Sequence, residues 1–207
     1  MIAMMREEYA FTELKGLDWD ALNDEFRPRF QEATDNNDID AYAFALRDFL
    51  WSIPDGHVGF TSLPVLDEQF NIDIATGLGM SIRDTSDGRV IVSFLTDGGP
   101  AENAGIQLGA EIFSLNGEPI SDLVDANVPW SSPFSTAHTR RLQQLRYVVR
   151  FSEVTDVEVA YQNPGGAAAT TTLTTAPEFD SFSQSSFSAG TTGLELPVEF
   201  EVMDNGY

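Results

Sequence analysis

The run Gly77-Leu78-Gly79-Met80 carries the clearest chemistry in this sequence. Glycines flanking one apolar residue let successive backbone N–H groups converge on a single concavity, and such nests bind anions. Met80-Ser81-Ile82-Arg83 follows at once as a strand, so a peptide held by its terminal carboxylate would find an edge to pair with. Farther along come Gly99-Pro100-Ala101-Glu102-Asn103-Ala104-Gly105-Ile106, then Leu108-Gly109-Ala110-Glu111-Ile112, and last Leu115-Asn116-Gly117. A lone Gly-x-Gly is weak evidence, but the ordered series from Gly77 to Gly117 is specific.

Other reactive residues are few. Asp55 and His57 have the types of the base half of a hydrolytic triad, but nothing near Ser131, Ser132 or Ser135 forms a nucleophile turn. A turn aspartate with His57 hydrogen-bonded at a domain junction is the better reading. Lys15 is the single lysine, and no cysteine is present. No His/Asp/Glu cluster has metal-ligand spacing. The sequence therefore assigns no catalytic residue, no metal ligand and no cofactor.

Charge narrows the partners. The 207 residues carry 33 acidic against 11 basic side chains, a net charge of −22, and that field repels phosphate and anionic membranes. No stretch approaches the roughly 20 apolar residues of a membrane span. The start, Met1 to Glu8, has neither a basic n-region nor an apolar h-region, so it does not read as a signal peptide. Nucleic-acid binding and membrane insertion are not expected.

These residues need elements to hold them. Residues 4–52 read as helices, with Trp19, Leu22, Phe26 and Phe30 behind an Asp18 cap. Ile39, Tyr42, Ala43, Leu46 and Leu50 form a second stripe behind Asp38, and Pro28 is expected to kink or divide the first. A short strand is expected from Val58 to Thr61, then a loop with Pro64. Strands follow near 72–75, 79–84, 89–95 and 111–115, with a short helix near 100–105. Residues 118–135 read as a long insert before a helix from Ser135 or Thr136 to Val149. That helix sets His138, Leu142, Leu145 and Val149 on one face. Strands at 154–161 and 168–174 come next, then a Ser/Thr/Phe-rich linker and a last strand over 196–202.

The motif series resembles a PDZ domain, a module that captures the free C-terminus of a polypeptide. With the helical block ahead of it and Pro54-Asp55-Gly56-His57-Val58-Gly59 between, the chain resembles the N-terminal helical plus PDZ portion of the tail-specific, or C-terminal processing, serine peptidases. The resemblance implies an α+β fold: a small N-terminal helical domain over 1–62, a PDZ-like β-barrel or sandwich with two helices over 68–176, and a linker and strand over 177–207. That family's Ser–Lys pair has no counterpart here, since Lys15 lies in the helical block. The expected role is therefore capture of substrate C-termini for a catalytic domain of the same parent protein; a stand-alone PDZ adaptor is the alternative. Family analogy places such proteins in the cell envelope, periplasm or outside the cell.

Gly77, Leu78, Gly79 and Met80 would bind the peptide carboxylate. Met80 and Ile82, facing Leu142 and Leu145, would form the pocket for the last side chain, or else belong to the core. His138 would either meet a Ser/Thr hydroxyl of the ligand or serve packing. The nest could equally face water or hold the protein's own chain.

Overall fold

Acidic caps start the long helices of the N-terminal third. The structure, a computed structural model, describes residues 1–60 and 63–184. Helices α1 (Ile2–Glu8) and α2 (Thr12–Lys15) lead to α3 (Trp19–Asp35) and α4 (Ile39–Trp51). The Asp18 carboxylate accepts from the N–H groups of Asp20 and Ala21, both at 3.0 Å, and that of Asp38 accepts from Ala41 at 2.9 Å. Each cap satisfies donors that the first turn leaves unpaired.

Pro28 does not divide α3, which runs through it to Asp35. Packing outweighs the lost backbone bond: Phe26 and Phe49 are buried and meet edge to face at 5.5 Å, with Trp19, Leu50 and Ile53 beside them. Ile39 and Tyr42, expected in the α4 stripe, lie exposed instead, and Ala43, Ala45, Phe49 and Leu50 form the buried face.

The junction differs from its sequence reading. Residues 58–60 form no strand, and 61–62 fall outside the described residues. Pro64 opens helix α5 (Pro64–Asp73), where its missing N–H is no loss, so a helix replaces the expected loop and the strand near 72–75. Position 68 lies inside this helix.

The sheet region then runs β1 (Thr76–Gly77), β2 (Met80–Asp84), β3 (Val90–Leu95), α6 (Pro100–Asn103), β4 (Glu111–Leu115), β5 (Glu118–Pro119) and α7 (Ile120–Ala126). It continues with α8 (Ala137–Tyr147), β6 (Arg150–Phe151), β7 (Asp156–Gln162), β8 (Ala168–Thr174) and α9 (Asp180–Gln184). Part of the stretch expected as an insert is thus α7. Part of the expected linker is α9, and the strand expected over 196–202 lies outside the described residues. The strands pair antiparallel in the order β2-β3-β4-β7-β8, with β5 on β4, while β1 pairs with β6. Asn116 and Gly117, at φ of 51° and 79°, supply the two left-handed residues that turn β4 back into β5.

The architecture is α+β. One core joins the sheet to α8 through Met80, Ile82, Val92, Ile112, Leu145 and Val157. A smaller aromatic cluster unites α5, α8 and α9 around Ile74, Tyr147 and Phe182, with Phe70 and Trp130 packed against it.

Candidate peptide-binding site

The glycine loop between β1 and β2 turns its carbonyls into the fold. The Leu78 carbonyl accepts from Ala101 N–H at 3.0 Å, and that of Gly79 accepts from Thr96 N–H at 2.9 Å. Gly77 exchanges both backbone bonds with Ala176, at 2.9 and 3.0 Å. The N–H groups of Leu78 and Gly79 donate to no other described residue. Both residues are buried, and buried amides are normally paired, so two donors here stand ready for an acceptor. Gly79 sits at φ +69°, and a Cβ there would lie 2.8 Å from Pro100 Cδ. Any other residue would be both strained and crowded.

The loop opens onto β2, the terminal strand of its sheet. Met80 and Ile82 point into the core with Leu145, and none of the three has measurable exposure. Leu142 is half-buried and His138 is exposed on the first turn of α8. The structure therefore brings Met80, Ile82 and Leu145 together as packed core, with Leu142 at its margin and His138 out in solvent. At the far end Arg141 of α8 reaches across to the Asp84 carboxylate at 2.7 and 3.2 Å, and also to Asp125 at 2.5 Å.

Beside the loop lies an ion pair that motif reading did not find. The Arg150 guanidinium, 1% exposed, donates to Glu178 Oε1 at 2.5 Å, and its other nitrogens reach the carbonyls of Ile74 and Glu178. The second oxygen of Glu178 accepts from Thr96 Oγ1 at 3.0 Å and from Ser181 N–H at 3.1 Å. Burial alone would raise the Glu178 carboxyl; the Ser181 donors, Arg150 and Thr96 outweigh it and hold the group below its ordinary range.

A second cluster forms at the junction. Asp55, 4% exposed, accepts from Tyr9 Oη at 2.6 Å, from His57 N–H at 3.0 Å and from Ser135 Oγ at 3.3 Å. His57 Nδ1 lies 3.0 Å from Asp55 Oδ1. Hydrogen bonds from Tyr9 and His57 hold the Asp55 carboxyl well below the carboxylate range; burial and that carboxylate push the Tyr9 phenol up to about 12. An ionised carboxylate can only accept, so Nδ1 carries a proton toward it, and in the neutral ring the lone pair is on Nε2. The His57 side chain is 94% exposed. A cavity of 330 Å³ adjoins it, bordered by Pro133, Phe134, Thr139 and Gln143. Ser135 binds Asp55 and the Gly56 N–H, with no hydrogen bond to the imidazole. The expected His57–Asp55 bond is present, whereas Tyr9 and Ser135, distant in sequence, left no local signal. Among the described residues no group of three or more His, Asp or Glu side chains is placed to hold a metal.

Two family models match parts of the chain. The family model described as PDZ domain matches residues 69–128. The chain carries a PDZ domain. Ahead of it, the model described as Tricorn protease C1 domain matches residues 1–41. The resemblance to the helical plus PDZ portion of tail-specific serine peptidases is thereby borne out. No curated protein matches the sequence.

Among solved structures, mature CPAF aligns with a TM-score of 0.56 at 17% identity, over 88% of this chain and 34% of that one. That likeness shows a shared fold, and the chain spans about a third of the length of this relative. A photosystem II D1 C-terminal processing protease aligns at TM-score 0.38 and 20% identity, over 79% of this chain and 39% of that one. The PDZ domain of a carboxy-terminal protease from Vibrio cholerae, solved in complex with peptide, aligns at TM-score 0.32 and 16% identity, over 49% and 93%. Among the described residues no helix is long and apolar enough to cross a membrane.

Proposed function

We propose that this chain is the substrate-capturing portion of a tail-specific serine peptidase, and that its PDZ domain takes the free C-terminus of a polypeptide. The observation that carries the reading is the pair of N–H groups at Leu78 and Gly79, without partners among the described residues and next to the terminal strand β2. An anionic chain end is the acceptor that suits them, and pairing along β2 would hold the rest of the peptide. In this reading the chain divides into a helical unit over 1–62 and a PDZ unit over 68–176, with Met80, Ile82, Leu142 and Leu145 shaping the seat of the last side chain. Few contacts are involved, so affinities of about 1–100 μM, or ~6–8 kcal/mol, are expected.

The Asp55–His57 pair favours an extension of the same reading. An imidazole fixed by a buried carboxylate, with Nε2 free and facing solvent, has the geometry of a general base. Ser135 is not aimed at it. We propose that His57 accepts a proton from a nucleophile supplied by another segment of a larger protease, and that the residues described here do not hydrolyse peptides by themselves.

Fluorescence anisotropy with a labelled peptide ending in leucine tests the capture. The free acid should bind at least about tenfold more tightly than its C-terminal amide. Equal affinities would defeat the proposal.

A further inference from the structure

The residues after β8 return to the glycine loop rather than leaving it. Ala176 pairs with Gly77, so the segment starts beside the nest. Two residues on, the Glu178 carboxylate sits against Gly77, between the buried Arg150 guanidinium and the Thr96 hydroxyl. A side chain on Gly77 would collide with both Arg150 and Glu178, so the loop is shaped around this ion pair. Helix α9 then crosses the start of β2. Ser81 Oγ donates to the Ser181 carbonyl at 2.5 Å, and Arg146 Nε of α8 donates to the Phe182 carbonyl at 3.2 Å. The Phe182 ring closes the arrangement, edge-on to Tyr147 at 5.2 Å with Arg146 stacked 3.7 Å from its centre.

The segment thus joins β2 to the C-terminal end of α8, and those two elements flank the pocket for a peptide's last side chain. Met80, Ile82 and Leu145 have no exposure within the sheet core, and Phe182 lies beside them in the cluster with Ile74 and Tyr147. A peptide pairing along the start of β2 from the Leu78–Gly79 amides would meet α9 at Ser81 and Ala176 beside Gly77.

We infer that residues 176–184 are a built-in competitor for the peptide site. The Arg150–Glu178 pair is its latch, and once the latch opens Arg150 becomes a partner for the carboxylate of the bound polypeptide. Arg150 suits that second role. It is buried, and Glu178 is the one carboxylate that pairs with it among the described residues. Removing the strap without replacing its charge would leave a guanidinium uncompensated at the mouth of the site, so exchange for another carboxylate is favoured over simple opening. The ligand is then a polypeptide with a free C-terminal carboxylate and an apolar last residue that replaces Phe182 or reaches the Met80–Leu145 floor.

This inference rests on the capture reading, and the test separates the two. The labelled leucine-terminated peptide, as free acid and as amide, is titrated into the wild-type chain and into the near-isosteric Glu178→Gln variant. The free acid should bind the variant about tenfold more tightly than wild type, with the amide unimproved. In parallel, hydrogen exchange of the amides at 176–184 in the wild-type chain should accelerate when the free acid saturates it. This second readout stands even if the variant fails to fold. If the free acid binds with its preference over the amide but the substitution leaves affinity unchanged, or 176–184 stay protected at saturation, capture survives and the strap inference is overturned. If neither protein binds the free acid, both fall.

Discussion

Asp55→Asn probes the junction hub most sharply, because it removes one charge and almost no volume. Asp55 is 4% exposed and gathers donors from three parts of the chain: Tyr9 after α1, His57 in the junction, and Ser135 ahead of α8. Asparagine keeps one acceptor oxygen for the His57 and Ser135 side and turns an NH2 toward the Tyr9 oxygen. Hydrogen bonds to a charged partner are worth about 1.5–3 kcal/mol against roughly 0.5–1.5 for neutral ones. The Tyr9 bond at 2.6 Å and the His57 N–H bond at 3.0 Å should each lose about 1 kcal/mol of that difference. The imidazole bond counts for little, since the ring is 94% exposed and screened. The expected cost is about 2 kcal/mol at pH 7, read by urea unfolding with tryptophan fluorescence, where Trp19 packs edge-on to Tyr9.

The pH dependence has a definite sign. The carboxyl of Asp55 is depressed on folding, so its contribution is fully present above its unfolded value of about 3.9 and disappears as pH falls through the folded one. Asparagine does not titrate. The gap between the two proteins should therefore stay level from about pH 8 to 5 and close below about 4. A gap under about 0.5 kcal/mol at pH 7, or one that widens on acidification, would refute the hub.

Phe49→Ala should cost about 3–5 kcal/mol in the same assay, because a ring with no exposure and two aromatic neighbours leaves a cavity in the helical core. Gly79→Val should weaken free-acid peptide binding by at least about tenfold and lower stability, since the residue combines φ +69° with a Cβ position 2.8 Å from Pro100. Nitrogen NMR of His57 should show the Nδ1–H tautomer in the wild-type chain, and a mixed or Nε2–H population in Asp55→Asn; an Nε2–H tautomer in the wild type would contradict the proposed base.

What the sequence made legible was local. Asp18 and Asp38 are readable as caps, and the α8 cap narrows to Ser135 or Thr136, because the donors these residues serve lie two or three residues away; the structure gives that cap to Thr136. Asn116-Gly117 and the Gly77–Met80 loop were readable because few residues tolerate their backbone angles. Helix α5 was missed because Pro64 breaks helices inside but starts them at the first turn, and Ile72-Asp73-Ile74 alternates like a strand. Ile39 fits the helical period yet lies exposed, as the first residue of α4. The hub and the latch had no local signature at all. Tyr9 and Asp55 are 46 residues apart, and Arg150 and Glu178 are 28 apart; only the folded chain brings them together. For the same reason groove and core cannot be told apart in the sequence: Met80, Ile82 and Leu145 have the composition of both, and only the folded chain packs all three without exposure.

The proposed seat of the peptide carboxylate is the Leu78–Gly79 loop. The most direct measurement is a proton–nitrogen NMR titration that follows those two amides as the leucine-terminated peptide is added. Both amide protons should shift strongly downfield with the free acid, as charge-assisted hydrogen bonds form, and scarcely move with the C-terminal amide. If the free acid binds while the Leu78 and Gly79 amides keep their positions, the carboxylate is held elsewhere and the capture proposal fails.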